Sequence, residues 1–449
     1  MNIFTRIRNM FFGDRSTLDV LGVTPADSGV QANDIALWQR MLEGKAAWND
    51  AANPSLRLAS SICREDADYS LFELETSISG GSASAKYLDE QYQRVVDNLR
   101  NDVMSLLGFG NGVYKPYVKN GGIYARLVTI NNYIPLQYSA DGDLLSVMFF
   151  DKLKRNNKHY TLAEQHTWDA VKLSYTITYR AFESKLENVI GKEVGISTVP
   201  EWAALEPITF SNISQPLFVE VSLHDKQPIF APAIKLIEQA DLQFGRSLWE
   251  FEGGSMAIFA DIDAFEKDKR SGAFSMPVNG DRTFRALDTN GGDVTNKIKE
   301  FAPTLRDQSI YNGLNQILRK IEFATGMAYG IISDPASVEK TAEEIRASKQ
   351  RFFVTLQSLQ KVIKKAMSNL VKSFVVIAEL YGLAPYGEYD LIFNAGDGVL
   401  EDFDKEFNRR NLLYSEGLLK GVKVVSYAMG VSEEKAVDMM PETAAAFNE

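Results

Sequence analysis

The chain has 449 residues, of which 45% are hydrophobic, 24% charged and 11% aromatic. That is enough to bury a large core in roughly two to four domains and excludes a wholly disordered chain. Lys and Arg number 48 against 59 Asp and Glu, a formal net charge of −11, which excludes a broad basic face that would wrap nucleic acid. The single cysteine, Cys63, excludes an intrachain disulfide, and the three histidines, His159, His166 and His224, disfavour a His/Cys metal cluster and point to a reducing compartment.

No run of about 18 apolar residues is present and the start lacks the apolar core of a signal peptide, so a cytoplasmic protein without a membrane span is expected. The opening residues place Phe4, Ile7, Met10, Phe11 and Phe12 beside Arg6 and Arg8. This short amphipathic pattern reads as a terminal packing helix or a flexible arm rather than a membrane anchor.

From residue 34 to 106 the apolar spacing is helical. Leu37, Trp38 and Leu42 recur at three to four residues, and Tyr87, Tyr92, Val95, Val96, Leu99, Val103 and Leu106 do so over 85–107. Between 112 and 230 the pattern changes to short runs rich in Val, Ile, Tyr, Phe and Thr, broken at Asn120-Gly121-Gly122, Asp141-Gly142-Asp143 and Asn156-Asn157. Those breaks predict hairpins of an antiparallel sheet or small barrel, with strands over 122–130, 144–152, 172–182 and 217–221.

A helix is predicted over 232–251, with Ile234, Ile237, Ala240, Phe244, Leu248 and Phe251 along one stripe and Gly253-Gly254 ending it. A turn-rich module with little helical signal follows over 255–303, and a second helix over 305–323 carries Ile310, Leu314, Ile317, Leu318 and Ile321 on one face. From Asp334-Pro335, with a second start at the Thr341/Glu344 capping box, a helical pattern runs to Tyr381. It would be about 70 Å long if straight, and the doubled start predicts a kink. One more strand is predicted at Leu391-Ile392-Phe393, then short helices over 401–440.

Catalytic signatures are nearly absent. There is no phosphate-binding Gly-x-x-x-x-Gly-Lys-Ser/Thr loop, no His-Glu-x-x-His, no Gly-x-Ser-x-Gly and no Cys-x-x-Cys. The acidic groupings Glu250/Glu252, Asp261/Asp263 and Glu343/Glu344 read as solvated carboxylates before metal ligands. His224 reads as a loop or strand-end residue and Cys63 as a small buried hydrophobe. Asn290-Gly291-Gly292-Asp293 reads as a turn. No catalytic residue, metal or cofactor is expected.

The order of elements resembles the portal proteins of tailed double-stranded DNA bacteriophages. Three stretches carry the resemblance: residues 229–241 (Ile-Phe-Ala-Pro-Ala-Ile-Lys-Leu-Ile-Glu-Gln-Ala-Asp), residues 311–318 (Tyr-Asn-Gly-Leu-Asn-Gln-Ile-Leu) and residues 339–345 (Glu-Lys-Thr-Ala-Glu-Glu-Ile). The last is similar to a Lys-Thr-Ala-Thr-Glu-like helix start of that family, with Glu343 in place of its second threonine. Together they cover 111–440 by position and order; the first hundred residues match by position alone. The resemblance implies an α+β portal fold: a mixed wing, two stem helices bracketing a small clip, a long kinked helix and a helical crown. Its boundaries would be an N-terminal arm at 1–33, a wing at 34–231 (helical layer, then sheet), stem helices at 232–254 and 304–327, and a clip at 255–303. A tunnel loop would follow at 328–340, the long helix and wing return at 341–400, and the crown or C-terminal tail at 401–449.

It further implies a homo-oligomeric ring, usually of twelve subunits, at one capsid vertex of the virion, assembled in the host cytoplasm. Double-stranded DNA would pass through its channel during packaging and ejection. Partners implied are the terminase, the major capsid protein or scaffold, and head-completion or adaptor proteins, with no membrane. Tyr329, Gly330, Ile331, Ile332, Asp334, Glu339 and Lys340 would line the channel, and Lys267, Lys269, Arg270, Lys297 and Lys299 would meet partners at the clip. Ring contacts join unlike faces, so the all-round apolar stretch Phe374 to Ala378 would suit an interface, or equally a monomer core. The alternatives are a cytoplasmic α+β enzyme with an acidic divalent-metal site, or another connector or scaffold component of a virion.

Overall fold

Two asparagine turns fix the sheet registers. In the computed structural model Asn120 and Gly121 have φ of 53° and 74°, and Asn156 and Asn157 have 47° and 61°; consecutive positive φ values are what a two-residue turn needs to match the twist of its strands. They join β2 (Asn111–Lys119) to β3 (Gly122–Thr129), and β5 (Leu144–Arg155) to β6 (Lys158–Asp169). The structure describes residues 21, 23–26, 32–186, 189–254, 257–261, 266–267, 274–275, 284–287, 298–301, 304–334, 342–395, 403–429, 436–437 and 440.

The chain divides into two units, 1–396 and 397–449. Within the first, the helical layer comprises α1 (Ala32–Leu42), α2 (Leu58–Leu71), α3 (Ala83–Val96) and α4 (Leu99–Phe109). The stretch expected to be helical over 85–107 is thus two helices. Residues 97–98 separate them, and the Asn98 side-chain amide donates to Asp102 Oδ1, one turn into the second helix, at 2.8 Å. The layer is also interrupted by β1 (Glu75–Ser79), which pairs antiparallel with β16 (Asp390–Asn394). With one buried residue, Ile78, β1 has no apolar alternation to betray it, whereas Leu391-Ile392-Phe393 forms the strand its composition predicts.

A three-stranded sheet has the order β10-β2-β3, with β10 spanning Val219–Ser222. A second sheet runs β4 (Tyr133–Tyr138), β5, β6, β7 (Ser174–Ser184), β8 (Lys192–Val194), with β9 (Ile208–Ser211) also on β7. Alternation along β5 divides its side chains between two clusters. Val147 and Phe149 join the main core, while Met148 and Phe150 pack with Leu21, Ile134, Ala163 and Phe182.

The longest helix, α7 (Ala342–Leu380), has 39 residues and so spans about 58 Å. Its stripe of Phe352, Leu356, Leu359, Ile363, Ala366, Leu370, Phe374 and Ile377 is buried in the main core. The earlier start expected at Asp334-Pro335, with the kink it implied, falls on residues 335–341, outside the described residues. Phe374, Ile377 and Ala378 are at most 4% exposed, so this chain's own core accounts for the apolar run. The second unit carries α8 (Phe403–Ser415) and α9 (Gly421–Met429), joined by Arg410 over the Tyr427 ring at 4.0 Å.

Asp66 on α2 is 1% exposed, and neither carboxylate oxygen has a hydrogen-bond partner. Burial, with a smaller push from Glu65, raises its carboxyl from 3.8 to about 8. A raised folded value stabilises the fold below pH 3.8, and that contribution drains away as pH climbs towards 8. Asp66→Asn is therefore expected to flatten the decline in urea-unfolding free energy between pH 4 and pH 8, a decline of up to about 4 kcal/mol by pH 7 in the unaltered chain. An unchanged pH profile would contradict it.

Candidate functional site

Two helices of the first unit lie side by side: α5 (Ile234–Gly253) and α6 (Asp307–Thr325). Glu250 near the end of α5 accepts from Arg306 N, Nε and a terminal guanidinium nitrogen at 3.0, 3.0 and 2.7 Å. The hydrogen bonds and charge of Arg306 hold its carboxyl down at about 2. Glu250, one of the acidic pair considered for a metal, is thus the clasp at the base of the helix pair. Higher on α5, buried Asp241 accepts from Trp48 Nε1, Asn49 Nδ2 and the Leu56 amide at 2.8–2.9 Å. Four residues on, a Cβ at Gly245 would lie 2.6 Å from the Ala52 carbonyl. Only glycine lets α5 approach the 46–56 segment so closely.

Between the two helices the described residues from 257 to 301 are all strand. β11 (Ala257–Asp261) pairs parallel with β14 (Phe284–Leu287) and antiparallel with β15 (Ile298–Phe301), and β12 (Glu266–Lys267) pairs with β13 (Phe274–Ser275). Of the basic residues expected to meet partners, Lys267 lies on β12 and Lys299 on β15; Lys269, Arg270 and Lys297 fall outside the described residues.

After α6 the chain turns at Gly326, φ 80°, and enters a segment gathered round one carboxylate. Glu322 is fully buried. Its Oε1 accepts from the amides of Gly330, Ile332 and Ser333 at 2.9, 2.9 and 3.0 Å, and its Oε2 accepts from the Ser333 hydroxyl at 2.7 Å. Asn315 exchanges two bonds with the Asp334 backbone, 2.8 Å from the amide and 3.4 Å to the carbonyl. Ser348 on α7 accepts from the Tyr329 amide at 2.8 Å. Arg351 on α7 lies over the Phe323 and Tyr329 rings, at 4.5 and 5.6 Å.

Of the residues expected to line a channel, Tyr329, Gly330, Ile331 and Ile332 are half-buried, with both isoleucines packed on the main core, while Asp334 is exposed. Glu339 and Lys340 lie outside the described residues. Sequence reasoning missed Glu322, although it falls four residues after Leu318 and eight after Leu314. A carboxylate on an apolar stripe is the available signal.

A second polar constellation lies between the two sheets, beside a cavity of about 490 Å³ whose lining includes Tyr117, Tyr179, Trp202, Phe210 and Tyr381. Lys115 on β2 pairs with Glu164 on β6 and lies 3.9 Å from Asp151 on β5; Arg126 on β3 bonds Asp151 at 2.9 Å. His166 links Glu164 Oε1 to the Tyr175 hydroxyl, each at 2.6 Å. With a carboxylate on Nε2, that nitrogen carries the proton and Nδ1 accepts from Tyr175. Both imidazole nitrogens are thus engaged within the protein, and the ring is 4% exposed. The arrangement therefore works as a clasp between sheets rather than as a general base. Burial would raise Glu164, but the His166 hydrogen bond and the Lys115 charge outweigh it and hold the carboxyl at about 2. Burial likewise draws His166 below 6.5, against the pull of Glu164. His166 was passed over in the sequence because strand alternation does not say what faces it across a sheet gap.

Among the described residues no group of three His, Cys, Asp or Glu could hold a metal ion, and no helix is long and apolar enough to cross a membrane. Glu343 and Glu344 begin α7 on its first turn, and Cys63 is buried as expected. No protein-family model matches the sequence, and no curated protein matches it. Among solved structures it is similar to a chain of the virion of a native gene transfer agent particle, at 11% identity and a TM-score of 0.43, over 93% of this chain and 98% of that one. The fold is a mixed one of helices and sheets.

Both clasp groups are depressed in the fold. Glu164 stabilises fully above pH 4.5 and loses its contribution as pH falls towards 2, and the contribution of neutral His166 is complete above pH 6.5 and wanes below it. Glu164→Gln leaves Lys115 without its buried counter-charge, so a loss of about 3–5 kcal/mol is expected in urea unfolding at pH 7. An unchanged midpoint would remove the clasp from the account.

Proposed function

We propose that this chain is the portal subunit of a tailed double-stranded DNA bacteriophage, a non-enzymatic ring at one capsid vertex. The observation that carries the reading is a sequence of elements. Two adjacent helices, clasped at their base by Glu250 and Arg306, flank a small strand module and lead through a carboxylate-anchored segment into a 39-residue helix. That order is the one the resemblance implies for stem, clip, stem, tunnel loop and long helix. In it, α5 and α6 are the stem, the strands over 257–301 the clip, and the second unit the crown.

The helix pair and α7 also present exposed apolar side chains. Trp249 on α5 is 66% exposed, Phe323 on α6 59% and Val354 on α7 60%. Exposed aromatics of this kind suit a heterologous seam, one face of a subunit meeting a different face of the next. In the ring, DNA moves along the axis during packaging by the terminase and again during ejection. A charge of −11 on each subunit disfavours adhesion to phosphate, so the duplex is guided rather than held. Asp334 is the described channel residue most open to solvent, and Glu339 and Lys340 follow it. Half-buried Tyr329 to Ile332 belong to the same tunnel loop, 328–340. The lysines and arginine of the clip, Lys267, Lys269, Arg270, Lys297 and Lys299, meet the terminase and later the adaptor proteins, and the outer surface meets the major capsid protein or scaffold.

Native mass spectrometry of the purified protein tests the reading. About twelve copies of a 50.1 kDa chain in one closed particle are expected, and a monomer or dimer persisting at high concentration would count against the portal.

A further inference from the structure

We infer that Arg351 anchors the subunit seam: with Phe323 and Val354 it forms a docking patch for a second copy of this chain, which brings a carboxylate to the guanidinium. This rests on the portal reading and names the charged centre of its seam. Arg351 lies on α7 over the Phe323 and Tyr329 rings, at 4.5 and 5.6 Å from the centroids. Its Nε and Nη2 are buried, and neither has a hydrogen-bond partner. A guanidinium stripped of water on one edge is destabilising unless a counter-charge meets it. Two other arginines of the first unit show the complete arrangement. Arg94 over Tyr124 also pairs with Glu90, and Arg180 over Phe182 also pairs with Glu193. Arg351 has the aromatic support without the carboxylate, since its side chain makes no ion pair or hydrogen bond among the described residues.

The chain's own side chains here do not supply the missing charge. Glu322, next to Phe323, has both oxygens occupied by donors of 330–333. Arg319, one turn before Phe323 and 7% exposed, is a second guanidinium, and it meets the Asp334 carbonyl at 3.4 Å rather than a carboxylate. The flanking surface is apolar. Phe323 is exposed beneath the guanidinium, and exposed Val354 follows Arg351 by three residues and so shares its side of α7. An arginine stacked on rings and flanked by open apolar side chains has the make-up of a protein interface centre. A duplex suits the patch less well, because the net charge of −11 repels phosphate. A second copy suits it better: its 59 Asp and Glu outnumber its 48 Lys and Arg, and a ring brings one face of a subunit against a different face of the next.

Mass photometry over a dilution series compares the unaltered chain with Arg351→Met and with the control Arg64→Met, whose arginine is exposed and holds Glu65. Methionine keeps an unbranched apolar chain against the rings and removes the unpaired donors. Within a fold, exchanging an unpaired buried charge for such a chain is neutral or stabilising. Arg351→Met should therefore melt as a single subunit with a Tm no lower than that of the unaltered subunit at the same dilution. It should nevertheless need at least about tenfold more protein to close into rings, while Arg64→Met closes at the unaltered concentration. Normal closure of Arg351→Met overturns the inference and leaves the portal reading intact. A lowered subunit Tm in Arg351→Met also overturns it, because the guanidinium is then a strut within its own chain. Normal closure with weaker retention of duplex DNA assigns the patch to phosphate and overturns it too. Arg351→Lys gives a readout that stands even if the methionine variant does not fold. Rings assembled from equal amounts of unlabelled and heavy-nitrogen-labelled Arg351→Lys chains are treated with a carbodiimide, which joins an amine to an adjacent carboxylate. Peptide pairs of mixed label linking position 351 to an Asp or Glu are expected, and pairs of a single label only, or none, overturn the inference. If the unaltered chain closes into no ring at any concentration, the portal reading fails and this inference with it.

Discussion

The burial of α7 is the constraint on which the first unit depends. A helix of about 58 Å with an apolar stripe from Phe352 to Ile377 must be covered along most of its length. α2, α3, the strands β2, β3 and β10, and β16 all pack on it. Because α7 is shared by the helical layer and the small sheet, the two are one core rather than two domains. The pair β1–β16 closes that core across more than 300 residues of sequence, tying the chain that leaves α7 back to the layer that precedes the sheets.

Joints in this unit are made by buried carboxylates, and their partners decide what each joint does. Asp241 fixes α5 to the helical layer, Glu164 fixes one sheet to the other, and Glu322 fixes the segment between α6 and α7. In each case the desolvation of the carboxylate is offset by hydrogen bonds from backbone and side-chain donors or by a buried cation. Asp66 differs, since it has no such donors and its carboxyl rises accordingly. Apolar contact supplies most of the favourable free energy of folding, while these directional groups specify how neighbouring elements are aligned.

Local rules made much of the fold legible in the sequence. Asn120-Gly121 and Asn156-Asn157 announce their hairpins because few other residues accept positive φ at both turn positions. The stripe of α7 is legible because the three-to-four spacing persists over about seven turns. Hidden features share one cause, which is that their meaning lies in a distant partner. β1 is polar and becomes a strand only because β16 lies beside it. His166 and Glu164 take their roles from Lys115 across the sheet gap, and Glu322 from a loop folded back on its own helix. Phe374 to Ala378 illustrate the converse, since an all-round apolar run states that it is buried but not by which molecule.

Seen from the site upward, the same device recurs at the point where function is proposed. A stiff helix pair ends in a segment, 329–334, whose backbone is tied to α6 and α7 and which carries exposed Asp334. Rigid support for a short loop, on an acidic chain, is what guiding a polyanion without holding it requires. The most direct test is a cryo-EM reconstruction of the purified assembly. A closed ring is expected in which α5 and α6 surround an axial hole and Asp334 faces that hole. A ring with Asp334 turned outward, or the absence of any closed particle, would contradict it.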